Sequence, residues 1–155
     1  MAERRMISKS LVMSNKFLQF SNDNKALFLY LIMFADDDGI VERSMMIDAP
    51  LQVDDSNYKE LERQGLIISY DDQIKVVTDW NRLQSIRKDI YNGTSHIEVR
   101  NTLYMKTDYS YTNDSSDAGV FASANDWVAL GRQKDIKDFE AIKKSLRNRQ
   151  QQEAL

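Results

Sequence analysis

The longest uninterrupted apolar stretch of the chain, residues 26–35, predicts a helix. Ser21 or Asn22 stands where a helix N-cap is expected, and the stretch contains no charged residue. A helix that is apolar on all sides is buried, so we expect the central core helix here. The sequence Asp36-Asp37-Asp38-Gly39 then predicts a turn, after which a short strand begins at Ile40. Before this helix, residues 7–12 favour a strand.

Two shorter helices and a hairpin are predicted next. Ser44 caps a helix that Pro50 closes, and Asp54 or Asp55 caps a second helix that ends at Gln64. The β-like runs 66–70 and 73–77 are joined at Asp71-Asp72, which predicts a hairpin. Helix, turn, helix and hairpin in this order are typical of a winged helix-turn-helix, with the second helix in the recognition position and the hairpin as the wing.

The rest of the chain carries weaker patterns. Residues 79–91 have helical apolar spacing, and alternation between Leu103 and Tyr111 favours a strand. The small and polar residues 113–125 predict a linker. A basic amphipathic helix is predicted near the end of the sequence, with an apolar stripe formed by Ile136, Phe139, Ile142 and Leu146.

These patterns together predict an α+β fold, a winged helix-turn-helix domain with a C-terminal amphipathic helix. We expect the winged-helix domain over residues 1–105, a strand-like segment and linker over 106–130, and the basic helix over 131–155. The apolar stripe of that helix has three open alternatives: docking on its own domain, pairing with a second copy in a homodimer, or entering a groove on a partner protein.

Composition narrows the chemistry. The chain has no cysteine and one histidine, His96, so a zinc site and a Ser-His-Asp triad are both disfavoured. Asp36 to Asp38 have the oxygen ligands that Mg²⁺ prefers, but adjacent carboxylates on a turn do not automatically converge, and we expect turn chemistry there. We therefore predict a protein that is not an enzyme and holds no cofactor or metal.

Charge and hydropathy bear on location and partners. No apolar run is long enough for a signal peptide or a membrane span, so we expect a cytoplasmic protein with no membrane partner. The net charge is −3, and it is unevenly distributed. Seven Lys or Arg and four Asp or Glu from Gly131 onward give +3, which leaves −6 for the first 130 residues. A nucleic-acid site must therefore be a local patch.

Three segments stand in a fixed order around the predicted winged helix: Met1-Ala-Glu-Arg-Arg-Met-Ile-Ser-Lys9, Ala35-Asp-Asp-Asp-Gly-Ile-Val41, and Trp80 followed by Ile86-Arg-Lys-Asp-Ile-Tyr91. Together they resemble the N-terminal domain of phage replication-initiation proteins, the replisome organizers related to primosomal DnaD-type proteins. The resemblance implies binding to duplex DNA at a phage origin in the host bacterial cell. It also implies recruitment of a host or phage replication protein by a C-terminal part, although only about 45 residues follow Tyr111 here.

Duplex DNA requires cations for its phosphates and hydrogen-bonding side chains for its bases. The candidate DNA-binding residues lie on the recognition-position helix, the wing and the flanking segments: Arg4, Arg5, Asn57, Lys59, Arg63, Lys75, Arg82, Arg87 and Lys88. Acidic residues outnumber basic ones on the recognition-position helix, and carboxylates near phosphates oppose binding. A protein-binding inhibitor of a host or defence protein, such as a CRISPR nuclease, therefore stays open as the alternative function.

Overall fold

The computed structural model describes residues 3–132, 134 and 144, and residues 3–132 form eight helices and two small antiparallel sheets. The first half of the chain contains α1 (Lys9–Val12), α2 (Asn15–Leu18), α3 (Asn22–Phe34), β1 (Ile40–Glu42), α4 (Met45–Leu51), α5 (Asp55–Arg63), β2 (Ile67–Ser69) and β3 (Ile74–Val77). The second half contains α6 (Trp80–Leu83), α7 (Ile97–Arg100), β4 (Tyr104–Lys106), β5 (Tyr111–Thr112), β6 (Val120–Ser123) and α8 (Ala124–Ala129). The predicted α+β class is confirmed.

The first sheet has the strand order β1-β3-β2. Strand β3 lies between its two neighbours, with Val41 opposite Lys75 and Ile68 opposite Val76. The predicted hairpin is confirmed, because the Asp71 carboxylate accepts the N–H groups of Gln73 and Ile74 and closes the turn between β2 and β3. Helices α4 and α5 both pack against α3.

Polar caps define the helices of this half. The Ser21 hydroxyl accepts the Asn24 N–H at 3.2 Å and begins α3, and Ser44 begins α4 in the same way. Pro50 was predicted to close α4, but it lies inside that helix. The helix ends at Gln52, whose φ of 53° is left-handed.

Helix α3 was predicted to be buried on all sides, and this is wrong for one of its faces. Leu27, Phe28 and Leu31 lie in the core. The opposite face leaves apolar side chains exposed to solvent: Leu29, Tyr30, Met33 and Phe34. The apolar run continues around the helix, but the neighbouring elements cover only one side of it.

Two local predictions before and after the first sheet were wrong. Residues 7–12 were expected to form a strand, but the Ser8 hydroxyl caps helix α1 instead. The predicted helix 79–91 ends at Leu83 because Gln84 is extended. The Gln84 side chain accepts the Met6 N–H at 2.9 Å and donates to the Met6 carbonyl at 2.7 Å, which ties this segment to the start of the chain.

The second sheet has the order β5-β4-β6 and replaces the predicted linker. The continuous strand expected up to Tyr111 is broken at Tyr109, whose φ of 66° turns the chain between β4 and β5. Within residues 113–125, only the first part is a loop, because Val120–Ser123 pairs with β4 and α8 follows directly. The alternation between Leu103 and Tyr111 correctly predicted β-structure, but it did not indicate the turn at Tyr109.

A single hydrophobic core spans both sheets. Leu27, Leu61 and Val76 belong to the same buried cluster as Met105 and Trp127. Residues beyond 105 therefore contribute to the core. The stripe residues Ile136, Phe139, Ile142 and Leu146 lie outside the described residues, as does most of the predicted helix 131–155.

Candidate nucleic-acid interface

Local polar contacts fix the start of α5. The Asp54 carboxylate accepts the Ser56 N–H at 3.0 Å, and the Asn57 side-chain oxygen accepts the Asp54 N–H at 3.0 Å. This reciprocal capping box satisfies N–H groups that the first turn of a helix leaves open. The Asn57 amide also donates to Asn24 at 2.8 Å. Asn57, a predicted DNA contact, is thus engaged at both ends of its side chain.

Helix α5 has one face in the core and the other in solvent. Tyr58 and Leu61 are buried, whereas Lys59, Glu62 and Arg63 are exposed. A buried stripe on one side leaves the opposite side available to a partner. This exposed face carries two of the predicted DNA contacts, Lys59 and Arg63.

The carboxylates of α5 are each held by a neighbour. Hydrogen bonds from Ser56 hold the pKa of Asp54 below its ordinary value. Arg43 lowers the pKa of Asp55, and Arg63 lowers that of Glu60. Glu62 accepts a hydrogen bond from the Ser69 hydroxyl at 3.0 Å. The cations paired with Asp55 and Glu60 partly offset the repulsion that these two carboxylates would exert on phosphates.

Arg43 is a structural residue that the sequence did not single out. Its guanidinium lies 3.0 Å from the Asp48 carboxylate and 4.2 Å from the centre of the Tyr58 ring, and it also pairs with Asp55. Burial and the hydrogen bond to Asp48 raise the pKa of Tyr58. Arg43 thus joins α4 to α5. It stands alone between a strand and a cap, so sequence spacing gave no signal for these contacts.

Arg5 does not reach the surface that the sequence predicted for it. Its side chain is 4% exposed and donates to the Asp37 carboxylate at 3.0 Å and to the Ala35 carbonyl at 2.9 Å. The guanidinium lies 5.0 Å from the Trp80 ring centre. Arg5 is therefore a buried structural cation, and its predicted DNA contact is corrected.

Lys75 is likewise withdrawn from solvent, with 5% exposure. Its ammonium donates to the Ser69 hydroxyl and to the Asp71 carbonyl, both at 2.9 Å. Burial lowers the pKa of Lys75. The predicted wing contact is corrected, because this side chain folds back onto the hairpin instead of projecting from it.

The other predicted basic residues are exposed: Arg4, Lys59, Arg63, Arg82, Arg87 and Lys88. Three of them pair with a nearby carboxylate, namely Arg63 with Glu60, Arg82 with Asp79 and Arg87 with Asp89. Exposed pairs of this kind exchange partners at little cost, so they do not prevent phosphate contacts.

The turn formed by Asp36, Asp37 and Asp38 connects the two halves of the fold. The Asp36 carboxylate accepts the N–H groups of Asp38 and Ile40, both at 3.0 Å, as an Asx turn does. Burial raises the pKa of Asp36 against the opposing effect of its Thr94 hydrogen bond. Asp37 pairs with Arg5.

Asp38 is the most buried of the three carboxylates, at 1% exposure. It accepts the Tyr91 hydroxyl at 2.6 Å, the Thr94 N–H at 2.8 Å and an Arg100 N–H at 3.3 Å. The Asp38 carbonyl accepts the Tyr111 hydroxyl at 2.8 Å. Burial, followed by the nearby Asp38, raises the pKa of both Tyr91 and Tyr111.

Asp36 and Asp38 share Thr94 as a hydrogen-bond donor, whereas Asp37 pairs with Arg5 and accepts the Asn92 N–H. Among the residues that the structure describes, no group of three or more His, Cys, Asp or Glu is arranged to hold a metal ion. In the same part of the chain, no helix combines the length and hydropathy that a bilayer span requires.

No protein-family model, curated protein or solved structure matches this chain.

Proposed function

We propose that this chain is a winged-helix DNA-binding protein that acts in phage replication initiation, in the cytoplasm of a bacterial host. One observation carries the proposal: the elements follow in the order α3–β1–α4–α5–β2–β3, and the sheet has the order β1-β3-β2. This connectivity is that of a winged helix-turn-helix, in which the helix at the position of α5 enters the major groove. The three segments that resemble phage replication initiators support the same function.

The charges near α5 indicate how DNA would be approached. Lys59 and Arg63 are exposed on the free face of α5, and we expect them to contact phosphates. The hairpin carries Asp71 and Asp72 at its tip, and the ammonium of Lys75 is folded away from solvent. The hairpin therefore offers no free cation to DNA. In the proposed complex α5 supplies the phosphate contacts, and the acidic hairpin tip points away from the DNA backbone.

The test is fluorescence anisotropy of a labelled duplex pool, titrated with the full chain between about 50 and 200 mM salt. We expect binding that weakens steeply with salt. The Lys59→Ala, Arg63→Ala double variant should bind at least tenfold more weakly. Its slope of log K against log salt should be shallower by up to about 1.8, since each lost phosphate contact removes about 0.9.

The matched control is the Lys9→Ala, Lys106→Ala double variant, which removes the same charge from two elements other than α5, namely α1 and β4. It should keep the wild-type affinity within about twofold. Failure of the wild-type chain to bind any duplex at the lowest salt would contradict the proposal, and so would equal losses in both variants.

The exposed face of α3 favours the alternative, a protein-binding inhibitor of a host or defence protein. Tyr30 and Phe34 stack there with ring centres 6.4 Å apart, beside the exposed Leu29 and Met33. Apolar surface of this kind suits a protein partner more than phosphates. The alternative predicts that a host protein co-purifies with the wild-type chain and is lost with Tyr30→Ser, Phe34→Ser. Retention of the same protein by that variant would count against it.

A further inference from the structure

A cavity of about 420 Å³ lies between the segment that starts at Gln84 and the C-terminal end of α8. Its volume is within the range of about 300–1,000 Å³ that is typical of small-ligand sites. Ile86 and Val128 form an apolar part of the wall. The cavity shares no lining residue with α5.

The polar part of the wall is cationic. Lys88, Arg132 and Lys134 all line the cavity, and no carboxylate of a described residue does. This differs from α5, where basic and acidic groups pair with each other. Three cations around one cavity repel each other, and an anion placed between them would relieve that repulsion.

Arg132 is held in a fixed position over the cavity. Its guanidinium lies 4.6 Å from the Tyr91 ring centre and 5.3 Å from that of Trp127, and Nη2 donates to Asn81 at 3.0 Å. Its backbone has a φ of 57°, a left-handed conformation that residues other than glycine rarely adopt. Strain of this kind persists where the surroundings impose it and is common at ligand sites.

The same side chain has an unused donor. Arg132 Nε is buried and has no hydrogen-bond partner among the described residues. Nε itself has almost no accessible surface, so Arg132 contributes to the cavity through its charge and the remainder of its guanidinium. A phosphate oxygen is a suitable acceptor, because a guanidinium matches it in charge and geometry.

Lys134 completes the arrangement. Its ammonium donates to the Gln84 carbonyl at 3.1 Å, which fixes it at the cavity wall. Burial and the neighbouring Arg132 lower the pKa of Lys134. A bound anion would act in the opposite direction and favour the ammonium form.

We propose that this cavity binds a phosphate group, with Arg132 as the fixed donor and Lys88 and Lys134 as the flanking cations. The cavity is larger than one phosphate, and its apolar wall fits the organic part of a phosphoester. The phosphate comes either from a free nucleotide or from the DNA backbone. In the second case the cavity extends the DNA interface beyond α5, and the inference then rests on the proposed function.

The test uses the full chain in isothermal titration calorimetry at constant ionic strength, with chloride replaced by the probe. The probes are inorganic phosphate, a deoxynucleoside 5′-monophosphate and duplex DNA. We expect saturable binding of the first two. The Lys88→Ala, Lys134→Ala double variant should lose at least tenfold in affinity, while Lys9→Ala, Lys106→Ala stays at the wild-type value.

A third variant addresses the donor geometry without changing the charge. Arg132→Lys keeps the cation but removes the guanidinium, so it should also weaken phosphate binding by tenfold or more. Because Arg132 also contacts Tyr91 and Asn81, its fold is checked by near-ultraviolet circular dichroism. The Lys88→Ala, Lys134→Ala variant tests the cavity without changing Arg132; it replaces an exposed lysine, Lys88, and one whose hydrogen bond goes to the Gln84 carbonyl, and its fold is checked in the same way.

The outcomes separate the two proposals. Loss of nucleotide binding in the Lys88, Lys134 variant, with DNA binding unchanged, supports a free phosphoester as the ligand. Loss of DNA binding as well supports the backbone as the source. If the wild-type chain binds neither phosphate nor nucleotide and the variant keeps full DNA affinity, the cavity proposal is overturned, whereas the proposed function of α5 stands or falls on its own variant.

Discussion

At the residue scale, the fold depends on a buried carboxylate whose partners come from far along the chain. Asp38 is enclosed, and its charge is satisfied by Tyr91, Thr94 and Arg100. The Arg100 side chain is itself mostly buried, and its Nε donates to Asn125 at 2.7 Å. A buried ion pair adds little to the free energy of unfolding compared with apolar residues of similar volume. Removal of one partner is nevertheless strongly destabilising, because it leaves an uncompensated buried charge.

The Asp38→Asn variant should therefore lower the free energy of unfolding by about 3–5 kcal/mol. Arg100 loses its counter-ion, and the new side-chain NH₂ group faces hydrogen-bond donors where the carboxylate accepted from them. Urea denaturation measures the change. The control is Asp89→Asn, which breaks the solvent-exposed pair with Arg87 and should cost about 0.5 kcal/mol or less. Similar losses in the two variants would show that burial of the Asp38 pair has no energetic role.

Alkaline pH should expose the contribution of Tyr111. Its pKa is raised in the folded chain, so above pH 10 the phenol ionises in the unfolded chain while it stays neutral in the folded one. Stability then falls as pH rises, by up to about 1.4 kcal/mol per pH unit for this group. Tyr111→Phe should make the dependence above pH 10 shallower by that amount, and the exposed Tyr70→Phe serves as control. An unchanged slope in Tyr111→Phe would contradict the assignment.

At the element scale, polar caps and glycine positions determine where elements begin and end. Ser21, Ser44 and Asp54 begin three helices at the places that the sequence predicts. Gly39 ends the turn after α3 with a φ of 81°. A Cβ at that position would lie 2.4 Å from Trp80 Cγ, so both the conformation and the space require glycine.

Gly39→Ala should lower the free energy of unfolding by about 2–5 kcal/mol, the sum of a left-handed backbone penalty and overpacking against Trp80. Thermal or urea denaturation measures this loss. Gly93→Ala is the matched control, since an added Cβ there meets its nearest atoms at 3.6 Å, in ordinary contact. Its cost should stay below about 1 kcal/mol. A Gly39→Ala protein as stable as the control would show that Trp80 moves freely.

Sequence patterns identified most elements whose determinants are local, with the Ser8-capped helix α1 as an exception, and they missed those set by distant contacts. The caps of α3 and α5 and the Asp71 turn act within four residues, so they are visible in the sequence. The end of α6 depends on Gln84 and Met6, which lie 78 residues apart. The second sheet has strands of two to four residues, which are too short to show a clear alternation of apolar and polar positions in the sequence.

The same distinction applies to the predicted interface. The exposed positions Lys59 and Arg63 follow from the helical period of α5 alone. Arg5 and Lys75 look equally basic in the sequence, but Asp37 and the hairpin itself bury them. Arg132 carried no signal at all, because its partners Tyr91 and Asn81 approach it only in the folded chain.

At the scale of the whole molecule, the two sheets share one hydrophobic core. Trp127 and Tyr111 are buried in the same cluster as Leu27 and Val76. The Tyr111 hydroxyl also reaches back to the turn after α3. Residues 106–130 therefore contribute to the same core as the predicted winged-helix domain over residues 1–105.

A chain that ends at residue 105 should not unfold cooperatively, because it lacks Trp127, Tyr111 and the partners of β4. Near-ultraviolet circular dichroism and urea denaturation report this loss. A chain that ends at residue 134 keeps every core residue that the structure describes and should retain a cooperative transition. Equal cooperativity in the two chains would show that residues 1–105 fold by themselves, as the predicted domain boundary implies.

The contacts of the Asp36 to Asp38 turn bear on how fast the chain reaches its native state. Their partners Tyr91, Arg100 and Tyr111 follow Asp38 by 53, 62 and 73 residues. Pairings over such separations require large loops to close before they contribute any stability, which slows folding relative to helical proteins of similar size. The contacts among α3, α4 and α5 span smaller separations, such as the 33 residues between Asn24 and Asn57, and we expect them to form earlier. We therefore expect the contacts of the buried Asp38 carboxylate to form late in folding. Their loss should raise the unfolding rate more than it lowers the folding rate.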